Sequence, residues 1–224
     1  MSASRDHARE LRRGASVLPT WVKDAVRGIL SPVVNLAIAL RLTPNTITVI
    51  GLLITVVASG LVAGGWLLMG AAVLTAGSLF DAVDGALARA QGSGTEFGSF
   101  LDSTLDRASE AILYVGIAVW FMSALDEPAL PVLAVFVALA GSFLVSYARA
   151  RAEGIGLHAS IGLAPRTERL VLVIVGIALA GLGFTPVLIG ILFLVAALTV
   201  VTVVQRIRHV WRLSQAAATR IKEY

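Results

Sequence analysis

Residues 81–106 have the sequence DAVDGALARAQGSGTEFGSFLDSTLD. This stretch holds four aspartates, Asp81, Asp84, Asp102 and Asp106, in a chain that is 57% hydrophobic and only 14% charged. An ionisable side chain inside a membrane helix costs roughly 3 kcal/mol, so such residues usually serve a function. The stretch therefore predicts both a fold class, a bundle of membrane helices, and the location of its functional site.

The apolar segments around this stretch predict an all-α, polytopic membrane protein with six transmembrane helices, since a helix crosses a bilayer with roughly 20 apolar residues. The predicted spans are 45–63, 66–90, 97–123, 129–152, 166–182 and 187–207. Residues 18–41 mix apolar and charged positions, which predicts an N-terminal amphipathic helix in the membrane interface, with a weak seventh span as the alternative. The predicted organisation is a polar tail (1–17), one membrane domain (18–212) and a cytoplasmic tail (213–224).

The 18 Lys and Arg residues predict the orientation in the membrane. With six spans, all of them fall at the two termini or around the 91–97 and 153–165 connections, on one side of the bilayer. The positive-inside rule makes that side cytoplasmic. We therefore expect a multi-pass protein of the cell (inner or plasma) membrane, with both termini and the active site cytoplasmic. Because the basic residues flank apolar segments, we expect no nucleic-acid partner.

The four aspartates form two pairs at helical spacing. Asp81 and Asp84 are three residues apart and Asp102 and Asp106 four apart, so each pair shares a helix face. A short loop joins the two helices, which we therefore expect to be antiparallel neighbours with their acids facing. Carboxylates this close either bind cations or acquire a raised pKa. An all-oxygen site suits Mg²⁺, Mn²⁺ or Ca²⁺, and Arg89 nearby suits a phosphate-bearing substrate.

Two other interpretations of the acids are open. One is a helix-packing network with Arg89 and Arg107, although two arginines cannot neutralise four carboxylates. The other, from a different functional class, is a cation or proton transporter, because carboxylates within spans also form ion relays. Ion flux in liposomes would distinguish a transporter from an enzyme.

The spacing of residues 81–106 resembles the signature of the CDP-alcohol phosphotransferase family, D-x2-D-G-x2-A-R-x8-G-x3-D-x3-D, at every fixed position. Six spans and an amphipathic N-terminal helix are also similar to that family. The resemblance implies transfer of a phosphatidyl-type group from a CDP-linked lipid to an alcohol, with release of CMP. It further implies two Mg²⁺ ions per site, or Mn²⁺, and makes Asp106 the general base. The implied metal ligands are Asp81, Asp84, Asp102 and Asp106.

The same resemblance implies a set of contacts to the CDP-linked lipid. These residues are Asn45, Thr46, Ile47, Thr48, Gly85, Arg89 and Thr95. Taken from the residues alone, Pro44 and Asn45 indicate a plain helix start, since Asn is a favoured cap residue.

A second basic set lies in the other half of the chain. Arginine binds phosphate through paired donors, so these residues predict a pocket for an acceptor phosphate, whereas positive-inside anchoring explains each one singly. They are Arg149, Arg151, Arg166, Arg169 and Arg206.

The runs 146–153 and 165–169 are similar to the phosphatidylinositol-phosphate synthase branch of the family, with Arg149 where many members have Lys. This resemblance implies a phosphorylated polyol acceptor, inositol 1-phosphate, with CDP-diacylglycerol as donor. The alternatives are glycerol 3-phosphate as acceptor, as in phosphatidylglycerophosphate synthases, and CDP-archaeol as donor. The resemblance also implies a homodimer.

Overall fold

The computed structural model describes residues 36, 38–40, 42–91, 95–163 and 165–222, with side chains described except at 79, 81–86, 88–91 and 216–222. The predicted tail (1–17) and nearly all of the predicted interfacial helix (18–41) lie outside the described residues. The same holds for the side chains of Asp81, Asp84, Gly85 and Arg89.

Between residues 44 and 222 the described chain is helical, without a strand, which confirms the all-α prediction. The helices are α1 (Pro44–Ala63), α2 (Leu67–Gln91), α3 (Glu96–Ala124), α4 (Ala129–Glu153), α5 (Arg166–Gly181) and α6 (Thr185–Lys222). Their bounds agree with the six predicted segments to within a few residues, except at the end of α6. That helix continues past the predicted limit of 207, because no Gly or Pro follows Gly190 to interrupt it.

Three helices, α1, α4 and α6, are both long and apolar enough to cross a membrane. In α2 the qualifying apolar part of the described chain is limited to Leu67–Ser78, α3 carries the acids of its first half, and α5 has only 16 residues. Large apolar side chains such as Leu53, Phe136 and Val200 remain more than half exposed on the outer surface. Apolar exposure on this scale fits a membrane protein better than a soluble one.

Local capping fixes the start of the two helices nearest the site. Pro44 occupies the first turn of α1, and the Thr43 hydroxyl accepts a hydrogen bond from the Thr46 amide at 3.2 Å. The Thr95 hydroxyl accepts from the Gly98 amide at 2.9 Å at the start of α3. A Cβ atom at Gly98 would lie only 3.1 Å from the Asn45 Oδ1, so the starts of α1 and α3 lie side by side.

The helices pack as two groups of three. In one, α1 packs against α2 and α3; in the other, α6 packs against α4 and α5; contacts of α2 with α5 and of α3 with α4 join them. Direct packing of α2 on α3 at their acid-bearing ends, which the sequence predicts, stays a prediction, because most side chains of 79–91 lie outside the described set. A Cβ at Gly116 would collide with Ser59, whose hydroxyl donates to the Ile112 carbonyl at 2.6 Å. Because Gly116 has no side chain, α1 and α3 can pack closely at this point.

Candidate active site

The acids of α3 begin the site. Asp102 and Asp106 lie one turn apart, and both are half-buried. Asp106 lies between two guanidinium groups, with its Oδ1 2.8 Å from Arg166 Nη1 and its Oδ2 3.4 Å from Arg107 Nη1. Arg107 is itself held by donation to the Ser146 hydroxyl at 3.0 Å. The Asp106 carboxylate is therefore oriented by groups from α3, α4 and α5.

The other two predicted metal ligands belong to α2. The backbone of Asp81 and Asp84 is helical and lies in the last third of α2, which confirms the helical setting that their spacing predicts. Their side chains lie outside the described set, so their convergence with Asp102 and Asp106 stays a prediction. The same applies to the contacts predicted for Gly85 and Arg89.

The donor set suits a hard divalent cation. Asp102 and Asp106 supply carboxylate oxygens at a half-buried position, and oxygen ligands are those that Mg²⁺ and Mn²⁺ prefer. Among the described side chains no three His, Cys, Asp or Glu residues come together. The two-acid stripe on α3 thus fits part of a metal site, and its completion depends on Asp81 and Asp84.

The residues predicted to contact the CDP part of the donor fall into two kinds of position. Asn45 and Thr95 come together over Gly98, at the same end of α3 as Asp102. Thr46 is exposed beside this point, and its hydroxyl pairs with that of Thr43 at 2.8 Å. The next two residues, Ile47 and Thr48, are directed away from this surface. Ile47 is buried, and the Thr48 hydroxyl donates to the Pro44 carbonyl of the same helix at 3.1 Å.

Three of the five predicted acceptor arginines lie close to the acid stripe or to one another. Arg166 contacts Asp106, and Arg169 is one turn further along α5. Arg206 of α6 lies within electrostatic range of Arg169 and of Arg149. Its guanidinium donates to the carbonyl of Ile161 at 2.9 Å and to that of Val145.

The other two arginines are placed differently. Arg149 is exposed and pairs with Glu153 at 2.8 Å, one turn along α4. Arg151 is also exposed, and it lines an apolar groove between α4 and α6 together with Tyr147 and Trp211. The structure therefore places Arg166 and Arg169 beside the acids of α3, and Arg206 and Arg151 along one groove, whereas Arg149 pairs with Glu153 at the surface.

Glu110 was absent from the predicted site. It lies one turn after Asp106 on α3, and its Oε1 is 3.2 Å from Arg169 Nη2. Both side chains are buried, with exposed fractions of 9% for Glu110 and 1% for Arg169. The signal available in the sequence was the spacing: Glu110 continues the four-residue repeat of Asp102 and Asp106.

A narrow cleft lies between α2, α3 and α5, next to the Glu110–Arg169 pair. It is lined by polar side chains that include Thr55, Ser78, Ser109 and Glu110, and by Arg166 and Arg169. Its cavity volume is about 30 Å³, which is room for roughly two water molecules. Arg166 both lines the cleft and contacts Asp106, so the cleft adjoins the first ion pair.

The chain belongs to the CDP-alcohol phosphatidyltransferase family, whose pattern matches residues 41–214. The match covers the acid stretch, both groups of helices and all five arginines of the predicted acceptor set. The fold and the site therefore define a CDP-alcohol phosphotransferase, and they favour this enzyme class over an ion transporter.

Two similar proteins are named for a particular reaction within this family. The chain is 39% identical over 180 residues to a phosphatidylinositol phosphate synthase of Corynebacterium glutamicum, covering 80% of this chain and 82% of the relative. It is 37% identical over 191 residues to an archaetidylinositol phosphate synthase of Methanothermobacter thermautotrophicus, covering 85% and 92%.

Solved structures agree with these sequence relatives. The crystal structure of Mycobacterium tuberculosis phosphatidylinositol phosphate synthase with CDP-DAG bound superposes with a TM-score of 0.76 at 35% identity, covering 82% of this chain and 94% of that one. The same enzyme in complex with manganese and citrate gives a TM-score of 0.75 at 35% identity, covering 81% and 88%. The resemblance to the phosphatidylinositol-phosphate synthase branch is thus confirmed.

Proposed function

We propose that the chain transfers the phosphatidyl group of CDP-diacylglycerol to the hydroxyl of inositol 1-phosphate, giving phosphatidylinositol phosphate and CMP. The observation that carries this proposal is the 2.8 Å contact between Arg166, a predicted acceptor-phosphate ligand, and Asp106, the predicted base. A phosphate bound at Arg166 would place the rest of the acceptor beside the Asp106 carboxylate. Relatives named for inositol phosphate products support the choice of acceptor.

In the proposed reaction the acceptor hydroxyl attacks the phosphorus that bears the diacylglycerol. The bond from that phosphorus to the oxygen of CMP breaks, and CMP leaves with the bonding electron pair. Asp106 takes the hydroxyl proton, which a half-buried carboxylate within reach of the acceptor is suited to do. Arg166 and Arg169 hold the acceptor's phosphate, since paired guanidinium donors match its oxygens.

Asp81, Asp84, Asp102 and Asp106 would hold two divalent ions, Mg²⁺ or Mn²⁺. When bound, such ions neutralise the diphosphate and stabilise the departing CMP. A solved relative in complex with manganese supports the use of a divalent metal. Metal removal with EDTA should abolish CMP release, and readdition of Mg²⁺ or Mn²⁺ should restore it; activity that survives chelation would contradict this assignment.

The donor's CDP group would bind where α1 and α3 begin. Asn45 and Thr95 meet over Gly98 on this surface, and Thr46 is exposed next to it. Ile47, Thr48, Gly85 and Arg89 complete the set that the family resemblance implies. The Ile47 side chain is buried, so it would act by packing beneath this surface. A solved relative with CDP-DAG bound supports a CDP-linked lipid as the donor. The proposal predicts that Asn45→Ala raises KM for the donor alone.

We further propose six membrane spans with cytoplasmic termini, an interfacial helix over 18–41 and a membrane domain over 18–212. Helices α2 and α3, with 25 and 29 residues, are long enough at roughly 1.5 Å per residue to cross a bilayer. Their charged residues, Arg89 and Arg107 as well as the acids, lower their hydropathy. Small residues on the spans favour a homodimer in the inner or plasma membrane. Cysteine labelling of each connection from outside intact cells tests the orientation, and the mass of the solubilised protein tests the dimer.

A CDP-archaeol donor is the second candidate, because one relative at 37% identity is named as an archaetidylinositol phosphate synthase. Glycerol 3-phosphate is the alternative acceptor. A single assay separates these cases: CMP release by the purified protein with each donor and each acceptor, with and without Mg²⁺. Turnover with glycerol 3-phosphate but not with inositol 1-phosphate would refute the proposed acceptor.

A further inference from the structure

A second ion pair lies beneath the one that contains the predicted base. Glu110 and Arg169 are joined at 3.2 Å, with only 9% and 1% of their side chains exposed. A charge buried to this degree is destabilising unless it is paired, so each group depends on the other. Both residues line the same cleft as Arg166, a residue of the proposed acceptor pocket, so the pair lies beside that pocket.

The two ion pairs are successive connections between the same two helices. On α3, Glu110 follows Asp106 by one turn; on α5, Arg169 follows Arg166 by one turn. Within the described residues few close backbone contacts join α3 directly to α5. The two guanidinium–carboxylate contacts are therefore direct links between α3 and α5.

The Glu110–Arg169 pair is joined by one hydrogen bond. Glu110 Oε1 accepts from Arg169 Nη2, and within the described residues Glu110 Oε2 has no hydrogen-bond partner. A guanidinium carries five N–H donors in a rigid plane. The contact with Glu110 fixes one of these donors and so restricts the plane, and Arg169 lines the cleft that Arg166 also lines.

We propose that Glu110 is a positioning residue for the transfer reaction: it holds the Arg169 guanidinium in the orientation that binds the acceptor's phosphate. This inference rests on the proposed function, because it takes a phosphorylated acceptor as given. Glu110 touches no reacting atom and acts through Arg169. A purely structural role would change stability and would leave the KM for the acceptor unmoved.

The test is the substitution Glu110→Gln, which keeps the size of the side chain and removes its charge. We expect KM for inositol 1-phosphate to rise about tenfold, as for the loss of a hydrogen bond to a charged group, while KM for CDP-diacylglycerol and kcat stay within about twofold. In an Arg169→Gln background the same substitution should add nothing to KM, because its partner is already gone. Glu127→Gln, the same chemical change at an exposed residue of the α3–α4 connection, is the control.

Equal increases in both KM values, an unchanged acceptor KM, or additive effects in the Arg169→Gln background would overturn the proposal. Retained CDP-diacylglycerol binding, measured as a rise in melting temperature, shows that a variant is folded. If Glu110→Gln fails this check, Glu110→Asp, which keeps the charge on a shorter side chain, is measured against the same expectation. Failure of the proposed function is seen separately, because wild-type protein would then release no CMP with inositol 1-phosphate; the comparison is made with whichever phosphorylated acceptor the wild type uses.

Discussion

Arg166 Nη1 lies 2.8 Å from Asp106 Oδ1, so a cation of α5 meets an acid of α3. The first belongs to the proposed pocket for the acceptor's phosphate, and the second is the proposed base. In the proposed reaction, an acceptor held by Arg166 through its phosphate would have its hydroxyl in the vicinity of the Asp106 carboxylate. The proposal thus assigns recognition of the phosphate and removal of the proton to adjacent side chains.

Asp106→Asn should abolish turnover while largely preserving donor binding. The amide cannot take the proton, and general base catalysis contributes about 10²- to 10⁴-fold to rate. CMP release measures the turnover, and the melting temperature with CDP-diacylglycerol measures binding. Asp126→Asn, the same change at an exposed position, is the control. A wild-type rate in Asp106→Asn would remove this residue as the base.

Arg166→Ala should raise KM for inositol 1-phosphate by roughly 10- to 100-fold, the effect expected for loss of charged hydrogen bonds to a phosphate. KM for CDP-diacylglycerol should change little, because Arg166 faces the acceptor side of Asp106 in the proposed site. Arg208→Ala removes an exposed arginine of α6 and serves as the matched control. Unchanged acceptor kinetics in Arg166→Ala would rule out the phosphate pocket.

Arg206→Ala should lower the melting temperature of the solubilised protein. Its buried guanidinium donates to the carbonyls of Val145 and Ile161, and so ties α6 to the end of α4 and to the connection before α5. Loss of hydrogen bonds made by a charged group costs about 1.5–3 kcal/mol each. Arg212→Ala, exposed on the same helix, should leave the melting temperature unchanged. If Arg206→Ala instead raises the acceptor KM at constant stability, its role is in binding alone.

Gly116→Ala should destabilise the fold, whereas Gly190→Ala should not. A Cβ at Gly116 meets the side chain and backbone of Ser59, so α1 and α3 must separate, at a cost of about 1–3 kcal/mol. At Gly190 nothing lies within 4 Å of the new atom, and Ala favours the helix. Thermal unfolding of both variants in detergent measures the difference. Equal stability of the two variants would show that the α1–α3 contact is not tight.

The site was predictable from the sequence only in part. Asp81, Asp84, Asp102 and Asp106 stand out because acids are rare in an apolar chain, and their spacing identifies both the helices and the family. Glu110 continues the four-residue repeat of Asp102 and Asp106, but its position in the sequence does not reveal its partner. The partner, Arg169, is 59 residues away, and only the packing of α5 brings it close.

The sequence by itself determined the helices, their order and the chemistry of the acid stretch, because helical periodicity and chain-breaking residues act over a few neighbours. The tertiary structure decided which long side chains meet: Asp106 with Arg166, Glu110 with Arg169, and Arg206 with the Val145 and Ile161 carbonyls. It also placed α1 against both α2 and α3. Such contacts depend on how whole helices fill space against one another, which no local pattern specifies.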